Sequence, residues 1–307
     1  MEQQGFICDY FPTYTRENYE GIIHQYTGII IRSKIKLDAA ILKRAGNLLF
    51  IGRVGAGMES IDAVYADSRG IVCLNAPEGN RDAVGEHALG ILLMLLNNLR
   101  RADAQVRQGI WIRAENRGIE IMGKTIGIIG YGNMGGAFAK RLSGFGATVL
   151  AYDKYKTNYS DEFVTENTLE ELFAKTDILS LHVPLTEETH HMVNREFINK
   201  FKKPFYLVNT ARGQVVHTAQ LVDALKNGKI LGAALDVLEY EKFSFEGIDK
   251  TNLPADFQHL ANADNVVLSP HIAGWTHESE IKMARTLAEK IKMLIRSQPW
   301  GNKNEKG

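Results

Sequence analysis

The chain has 307 residues, with 36 basic side chains against 36 acidic ones and 45% hydrophobic residues. Balanced charge leaves no field to draw it to nucleic acid or to an anionic membrane, and the composition is that of an ordinary globular protein of about two domains. The most apolar window, residues 89–96, is too short to span a bilayer, no signal-peptide pattern opens the chain, and Cys8 and Cys73 lack metal-type spacing and fit a reducing compartment. The expectation is a cytoplasmic protein with no nucleic-acid partner, no membrane partner and no metal.

Residues 5–74 alternate strand and helix. Runs at 6–10, 28–31, 48–51 and 71–74 read as strands, with helix-like stretches at 15–25, 38–45 and around 60–67. Such alternation predicts a parallel sheet with helices on its faces, in a small domain of its own. Residues 86–106 read as one long helix, apolar on one side early and charged later, bridging into a second domain. Residues 109–122 carry Trp111, Ile112, Ile119 and Ile121 in no clear period, an arm suited to covering a partner subunit.

From residue 125 the alternation resumes, opening with KTIGIIGYGNMGGAFAKRLSGFGATVLAYDKY. A buried strand at 125–129 leads into Gly130, Gly132 and Gly135 in G-x-G-x-x-G order, then a helix, a second apolar run at 147–152, and Asp153. The first glycine makes the tight turn, the second lets backbone approach a pyrophosphate, and the third lets helix pack on strand. The anion then sits on free amides at the positive end of the helix dipole. Asp153 lies 18 residues past Gly135, about where an acid accepts hydrogen bonds from an adenine-side ribose. A carboxylate there repels the extra phosphate of NADP, so NAD is favoured. Beyond this unit, strands read at 177–183, 204–209, 230–238 and 265–269. Helices read behind the capping box of Thr168 and Glu171, at 189–200, at 218–226 and at 277–296.

In an open parallel sheet, ligands bind beyond the carboxyl ends of the strands. The polar residues at those ends are Asp153, then Thr210, Ala211 and Arg212, then Asp236 with Glu241, and His271, while Val183 and Pro184 close a further strand. Taken singly, Arg212 reads as a surface arginine, Glu241 as a loop acid and His271 as a core histidine. Their shared location predicts an arginine, carboxylate and histidine site.

The stretches GRVGAGMESID, GYGNMG, NTARGQVV, GAALDVLEYE and SPHIAGWT resemble, in order and spacing over nearly the whole chain, the D-isomer-specific 2-hydroxyacid dehydrogenases, most of all their 3-phosphoglycerate dehydrogenase branch. The resemblance implies an α/β fold of two doubly wound parallel-sheet domains. These are a Rossmann NAD-binding domain over 101–277 and a smaller flavodoxin-like substrate domain over 1–100 and 278–307. It implies an NAD-dependent enzyme moving hydride between nicotinamide and a D-2-hydroxy acid or 2-keto acid. The expected substrate is 3-phosphoglycerate, the alternative is glyoxylate or hydroxypyruvate, and an NADH-sensing binding protein is the reading from another class.

Carried over by motif, Arg212 orients the substrate, His271 gives and takes the proton, and Glu241 partners the histidine. Gly130, Gly132, Asn133, Met134 and Gly135 fall on the pyrophosphate side, and Thr210, Ala211 and Asp236 on the nicotinamide side. Val183, Pro184 and Gly274 complete the cofactor set, and the loop of Arg53, Val54 and Gly55 would hold the substrate. The roles suit the residue types. A guanidinium grips a carboxylate in a fork while polarising the adjacent carbonyl, a histidine changes charge near neutral pH, and a carboxylate beside it favours the imidazolium. Arg32, Lys34 and Arg53 are the cations a phosphorylated substrate would call on. A homodimer through the cofactor domain is also implied.

The chain departs from the family in places. A first strand and helix normally precede the segment that GFICDYFP resembles, so residues 1–5 read as that helix's tail and the expected start lies upstream; losing an interior strand would leave two edges unpaired. Lys242 replaces a usual proline, residues 243–262 are longer than expected, and His217 replaces a common acid. Ala76 stands for a threonine, and Trp275 enlarges the residue after HIAG. No regulatory module is expected after residue 307, hence no serine feedback.

Overall fold

A computed structural model describes residues 1–2, 5–241 and 253–297. The chain divides into two compact units, Met1–Asn80 with Trp275–Gly307, and Arg81–Gly274. Among the described residues no helix is long and apolar enough to cross a membrane.

In the first unit, β1 (Gly28–Ile31), β2 (Phe50–Arg53) and β3 (Val72–Asn75) pair in parallel in that order. Helix α1 (Arg16–Ile22) precedes β1; α2 (Ala39–Arg44) and α3 (Ala63–Ser68) link the strands. Asp38 caps α2 by accepting from Ile41 N at 3.2 Å, and Asp62 caps α3 by accepting from Tyr65 N at 3.0 Å. Side chains alternate across the central strand. Ile51 joins Ile41 and Leu42 on one face, and Phe50 joins Met283, Leu287 and Ile291 of α11 (His277–Ser297) on the other. Gly52 shares the α11 face, where a Cβ would come within 3.2 Å of Leu287, so its bare backbone admits the helix. The run at 6–10 is not a strand: Ile7 is 97% and Tyr10 87% exposed. Among the described residues no strand pairs with this run, and only its Phe6 packs against the core of Phe50, Met283 and Leu287.

Among its described residues the second unit holds seven parallel strands in the order β10 (Val266–Leu268), β9 (Ile230–Leu235), β8 (Phe205–Asn209), β7 (Ile178–Leu181), β4 (Thr125–Ile129), β5 (Thr148–Tyr152) and β6 (Thr165–Glu166). The order reverses at β4 and β7, which is the switch point where open α/β sheets bind ligands. Strands β4 and β7 are apolar almost throughout because helices cover both faces. Ile128 packs with Leu92 and Leu95 of α4 (Pro77–Leu96) and Phe138 of α6 (Asn133–Leu142). Ile129 faces the other way, into a core with Leu172 of α7 (Leu169–Lys175), Ile198 of α8 (Arg195–Lys200), Leu221 of α9 (Thr218–Lys226) and Leu260 of α10 (Ala255–Asn262).

That packing moves the expected boundary. Ala88, Ile91, Leu92, Leu95 and Leu96 belong to the second unit's core, so the chain divides at 80/81 and not at 100/101. The helix expected over 86–106 is two helices, α4 and α5 (Leu99–Arg107), broken at Asn98 with φ 52°; asparagine tolerates that left-handed backbone, and its Nδ2 donates to Arg117 O at 3.2 Å. The helix expected over 189–200 begins only at Arg195, behind the Asn194 cap. Val193 instead bridges Val216 in parallel, which commits the preceding backbone elsewhere. The arm at 109–122 is irregular, with Trp111 76% and Met122 70% exposed. Of the long segment expected at 243–262, residues 243–252 lie outside the described residues, as does Lys242.

Candidate active site

The three loop glycines divide into two whose Cβ would strike backbone and one that faces open space. Gly130 turns after β4 with φ 93°, and a Cβ there would lie 2.5 Å from His182 O. A Cβ on Gly135 would lie 2.1 Å from Gly130 O, so α6 rests directly on the turn. A Cβ on Gly132 would meet nothing within 4 Å. Gly132 is also the N-cap of α6, with no side chain capping the amides of Asn133 and Met134. A backbone open to approach at an uncapped helix start is what an anionic group requires.

Asp153 follows β5. Its Oδ2 accepts from Tyr131 N at 2.9 Å and its Oδ1 from Tyr155 N at 3.0 Å. Two backbone amides thus fix the carboxylate, and each oxygen keeps a further lone pair. The Tyr131 hydroxyl donates to Asp161 at 2.7 Å, and burial, with that carboxylate, pushes the phenol well above its ordinary range.

His182 lies directly behind the turn, its Nε2 2.8 Å from Ser180 Oγ and its Nδ1 enclosed without a hydrogen-bond partner. Burial pushes its pKa down to about 3. In the unfolded chain the ring takes a proton near pH ~6.5, whereas the folded chain keeps it neutral. This contribution to stability is therefore complete above pH ~6.5 and is lost as pH falls toward 3, by at most about 1.4 kcal/mol per pH unit. Thermal melts at pH 7.5 and pH 5 should show a smaller drop for His182→Gln than for the wild type. Equal drops would show that His182 does not titrate on unfolding.

On the other side of the switch point the strand ends are aligned: Asn209 pairs with Leu235, and Leu235 with Leu268. Thr210, Asp236 and Ser269 therefore step off adjacent strands together. Asn209 closes its own turn, accepting from Ala211 N and donating to Arg212 O, both at 3.0 Å. Arg212 Nη1 donates to Ala211 O at 2.7 Å, and Thr210 Oγ1 is enclosed with no partner among the described residues.

Leu238 N donates to one oxygen of Glu241, and the other oxygen lies 2.6 Å from His271 Nδ1. An ionised carboxylate only accepts, so Nδ1 carries the proton and Nε2 is the position that gains or loses one. The tautomer follows from the partner's chemistry.

His271 has φ 56°, a left-handed backbone that costs a non-glycine residue about 1–2 kcal/mol. Asp236 holds it there. The buried Asp236 carboxylate accepts from Ser269 Oγ at 2.6 Å, Ile272 N at 3.0 Å and Ala273 N at 2.8 Å, while its carbonyl accepts from His271 N at 2.7 Å. Burial alone would raise this carboxyl, but the His87, Ser269, Ile272 and Ala273 donors outweigh it and hold it below the usual range. The resemblance places Asp236 on the nicotinamide side, and in the structure its oxygens also hold the histidine loop. Asn209 ends the strand read over 204–209, whereas His87 is marked by nothing in the sequence beyond its place in the 86–106 helix.

Arg53, Val54 and Gly55 belong to the first unit, where Arg53 ends β2 and Val54 N donates to Ile31 O at 2.9 Å. Gly55 has φ 155°, and a Cβ there would fall 1.2 Å from Arg53 Nη1. Val183, Pro184 and Gly274 belong to the second unit, Gly274 as its last residue.

Residues 89–273 match the family described as D-isomer specific 2-hydroxyacid dehydrogenase, NAD binding domain. The chain belongs to the D-isomer specific 2-hydroxyacid dehydrogenase family. Over 304 residues it is 36% identical to a D-3-phosphoglycerate dehydrogenase of Archaeoglobus fulgidus, covering 98% of this chain but only 56% of that protein's length. It is 38% identical over 272 residues to a hydroxypyruvate reductase of Thermotoga maritima, covering 88% of this chain and 85% of that one. Among solved structures it resembles a D-lactate dehydrogenase from Aquifex aeolicus complexed with NAD and lactic acid. The TM-score is 0.79 at 32% identity, with 91% of this chain and 85% of that chain covered.

The dehydrogenase family's cofactor is NAD, and the residues present fit it. Gly132 offers open backbone, the start of α6 is uncapped, Asp153 is fixed beyond β5, and the enclosed Thr210 Oγ1 lacks a partner among the described residues.

Proposed function

We propose that the protein is an NAD-dependent D-2-hydroxyacid dehydrogenase whose catalytic residues are Arg212, Glu241 and His271. The observation that carries this is the 2.6 Å pairing of Glu241 with His271 Nδ1 at the strand edge that also launches Arg212. Gly130, Gly132, Asn133, Met134 and Gly135 would hold the pyrophosphate and Asp153 the ribose. Thr210, Ala211, Asp236, Val183, Pro184 and Gly274 would line the rest of the cofactor site. NAD, when bound, supplies or accepts the hydride. Arg212 grips the carboxylate of a 2-keto acid and polarises its carbonyl. Nε2 of His271 delivers the proton on reduction and removes it on oxidation, with Glu241 stabilising the charged ring. Arg53, Val54 and Gly55 form the substrate-holding loop of the first unit. A panel of 2-keto acids with NADH tests this: reduction of at least one supports it. NADH binding with no reduction anywhere would favour a sensing protein instead.

The resemblance and the name of the Archaeoglobus relative support 3-phosphoglycerate as substrate. A second reading, hydroxypyruvate or glyoxylate, is favoured by where two of the three expected cations go. Arg32 Nη1 pairs with Glu280 at 3.0 Å, and Lys34 Nζ donates to Pro12 O at 2.8 Å. If phosphate is recognised, kcat/KM for 3-phosphohydroxypyruvate exceeds that for hydroxypyruvate by about 10- to 100-fold, the worth of one charged hydrogen bond. The reverse order selects hydroxypyruvate.

A homodimer through the second unit is also proposed, supported by exposed Ile110, Trp111, Ile112 and Met122 on one irregular arm. A monomer mass by light scattering at micromolar concentration would reject it.

A further inference from the structure

We infer that His87, on α4, is a positioning residue for His271, acting through Ser269 and Asp236. The inference rests on the proton-carrying role proposed above for His271. His87 Nε2 lies 2.9 Å from Ser269 Oγ and 3.3 Å from Asp236 Oδ1. The Ser269 hydroxyl has one proton and gives it to Asp236 at 2.6 Å. Its contact with His87 must then be one in which the serine accepts, which puts a proton on His87 Nε2. The ring thereby donates into the serine and carboxylate pair from the helix side.

The consequence is mechanical. The Asp236 carboxylate and carbonyl together receive the backbone amides of His271, Ile272 and Ala273. These bonds hold a left-handed histidine in place, and such a residue persists only where its surroundings over-determine it. Without the His87 donor, the Ser269 hydroxyl is left to turn and the buried carboxylate loses its outer support. The loop then relaxes, and the imidazole leaves the alignment that Glu241 sets. The α4 residues that follow His87 on the sheet side, Ala88, Ile91 and Leu92, are apolar and packed in the core.

The test compares His87→Leu, which removes the donor at similar volume, with His87→Gln, whose amide nitrogen can donate from about the same place. In His87→Leu, kcat should fall by up to about 100-fold, as for a misplaced reacting group, with KM for NADH changed less than about twofold. Independently of catalysis, amide hydrogen exchange in the protein without cofactor should speed up about tenfold at Ile272 and Ala273 while the β4 and β5 amides keep their protection. His87→Gln should restore both readouts to within about threefold of wild type. Wild-type exchange and kcat in His87→Leu would overturn the inference. So would equal damage in both variants, or loss of protection spreading to β4, since either shows a packing role. Should the wild type reduce no keto acid, the reading of the preceding section fails, and the exchange comparison still decides whether His87 orders the loop.

Discussion

Replacing His271 with glutamine should lower kcat by about a thousandfold, within the ~10²–10⁴ range that a positioned acid or base contributes, and leave NADH binding near wild type. Glutamine has no proton to exchange near neutral pH, so the carbonyl oxygen would have to take its proton from water. The contacts proposed for the cofactor, at Gly132, the start of α6 and Asp153, follow β4 and β5, away from the strand end that precedes His271. The backbone supplies a control. At φ 56°, asparagine is better tolerated than glutamine, and its amide can still donate to Glu241. If His271→Asn and His271→Gln lose turnover equally while both quench with NADH, the loss is chemical. If the asparagine variant alone recovers, the glutamine defect is loop strain and the proton passes through another group. Wild-type turnover in either variant would remove His271 from the reaction.

How far the sequence discloses this arrangement depends on the range of the interactions involved. The glycine loop was legible because each of its features is local: strand, turn, helix, strand and acid follow within about thirty residues, the span of one βαβ unit. Arg212, Glu241 and His271 were legible as residues at strand ends, and the resemblance gave them roles. The break at Asn98 was not, because a run of helix formers conceals one residue whose left-handed turn is settled by a contact with Arg117. The stretch before Arg195 has helical composition, and its bridge to Val216 overrides that local preference. The run at 6–10 has strand composition but, among the described residues, no partner strand. His87 was least legible of all: within α4 it reads as one polar position on a core helix, and its meaning comes from Ser269, 182 residues away.

The glycine loop offers the sharpest separation of fold from binding. Gly135→Ala should cost about 1–3 kcal/mol of stability, as overpacking does, and abolish NADH binding. The added Cβ would lie 2.1 Å from Gly130 O, a backbone atom that cannot swing aside as a side chain would. Gly130 cannot retreat either, since its own positive φ and the His182 carbonyl behind it fix the turn. The helix must then lift off β4, and the Phe138 and Leu142 contacts with the sheet core go with it. Gly132→Ala is the counterpart. Its φ of −100° suits alanine and the space around it is open, so its stability should stay within about 0.5 kcal/mol of wild type. Its Kd for NADH should rise at least about tenfold, a loss of ~1.4 kcal/mol, because the methyl fills the space a pyrophosphate would use. A melting curve and a fluorescence titration on the two variants separate the cases. Wild-type NADH affinity in Gly132→Ala would mean that the dinucleotide does not lie against this turn, and the assignment of Asp153 to its ribose would fall with it.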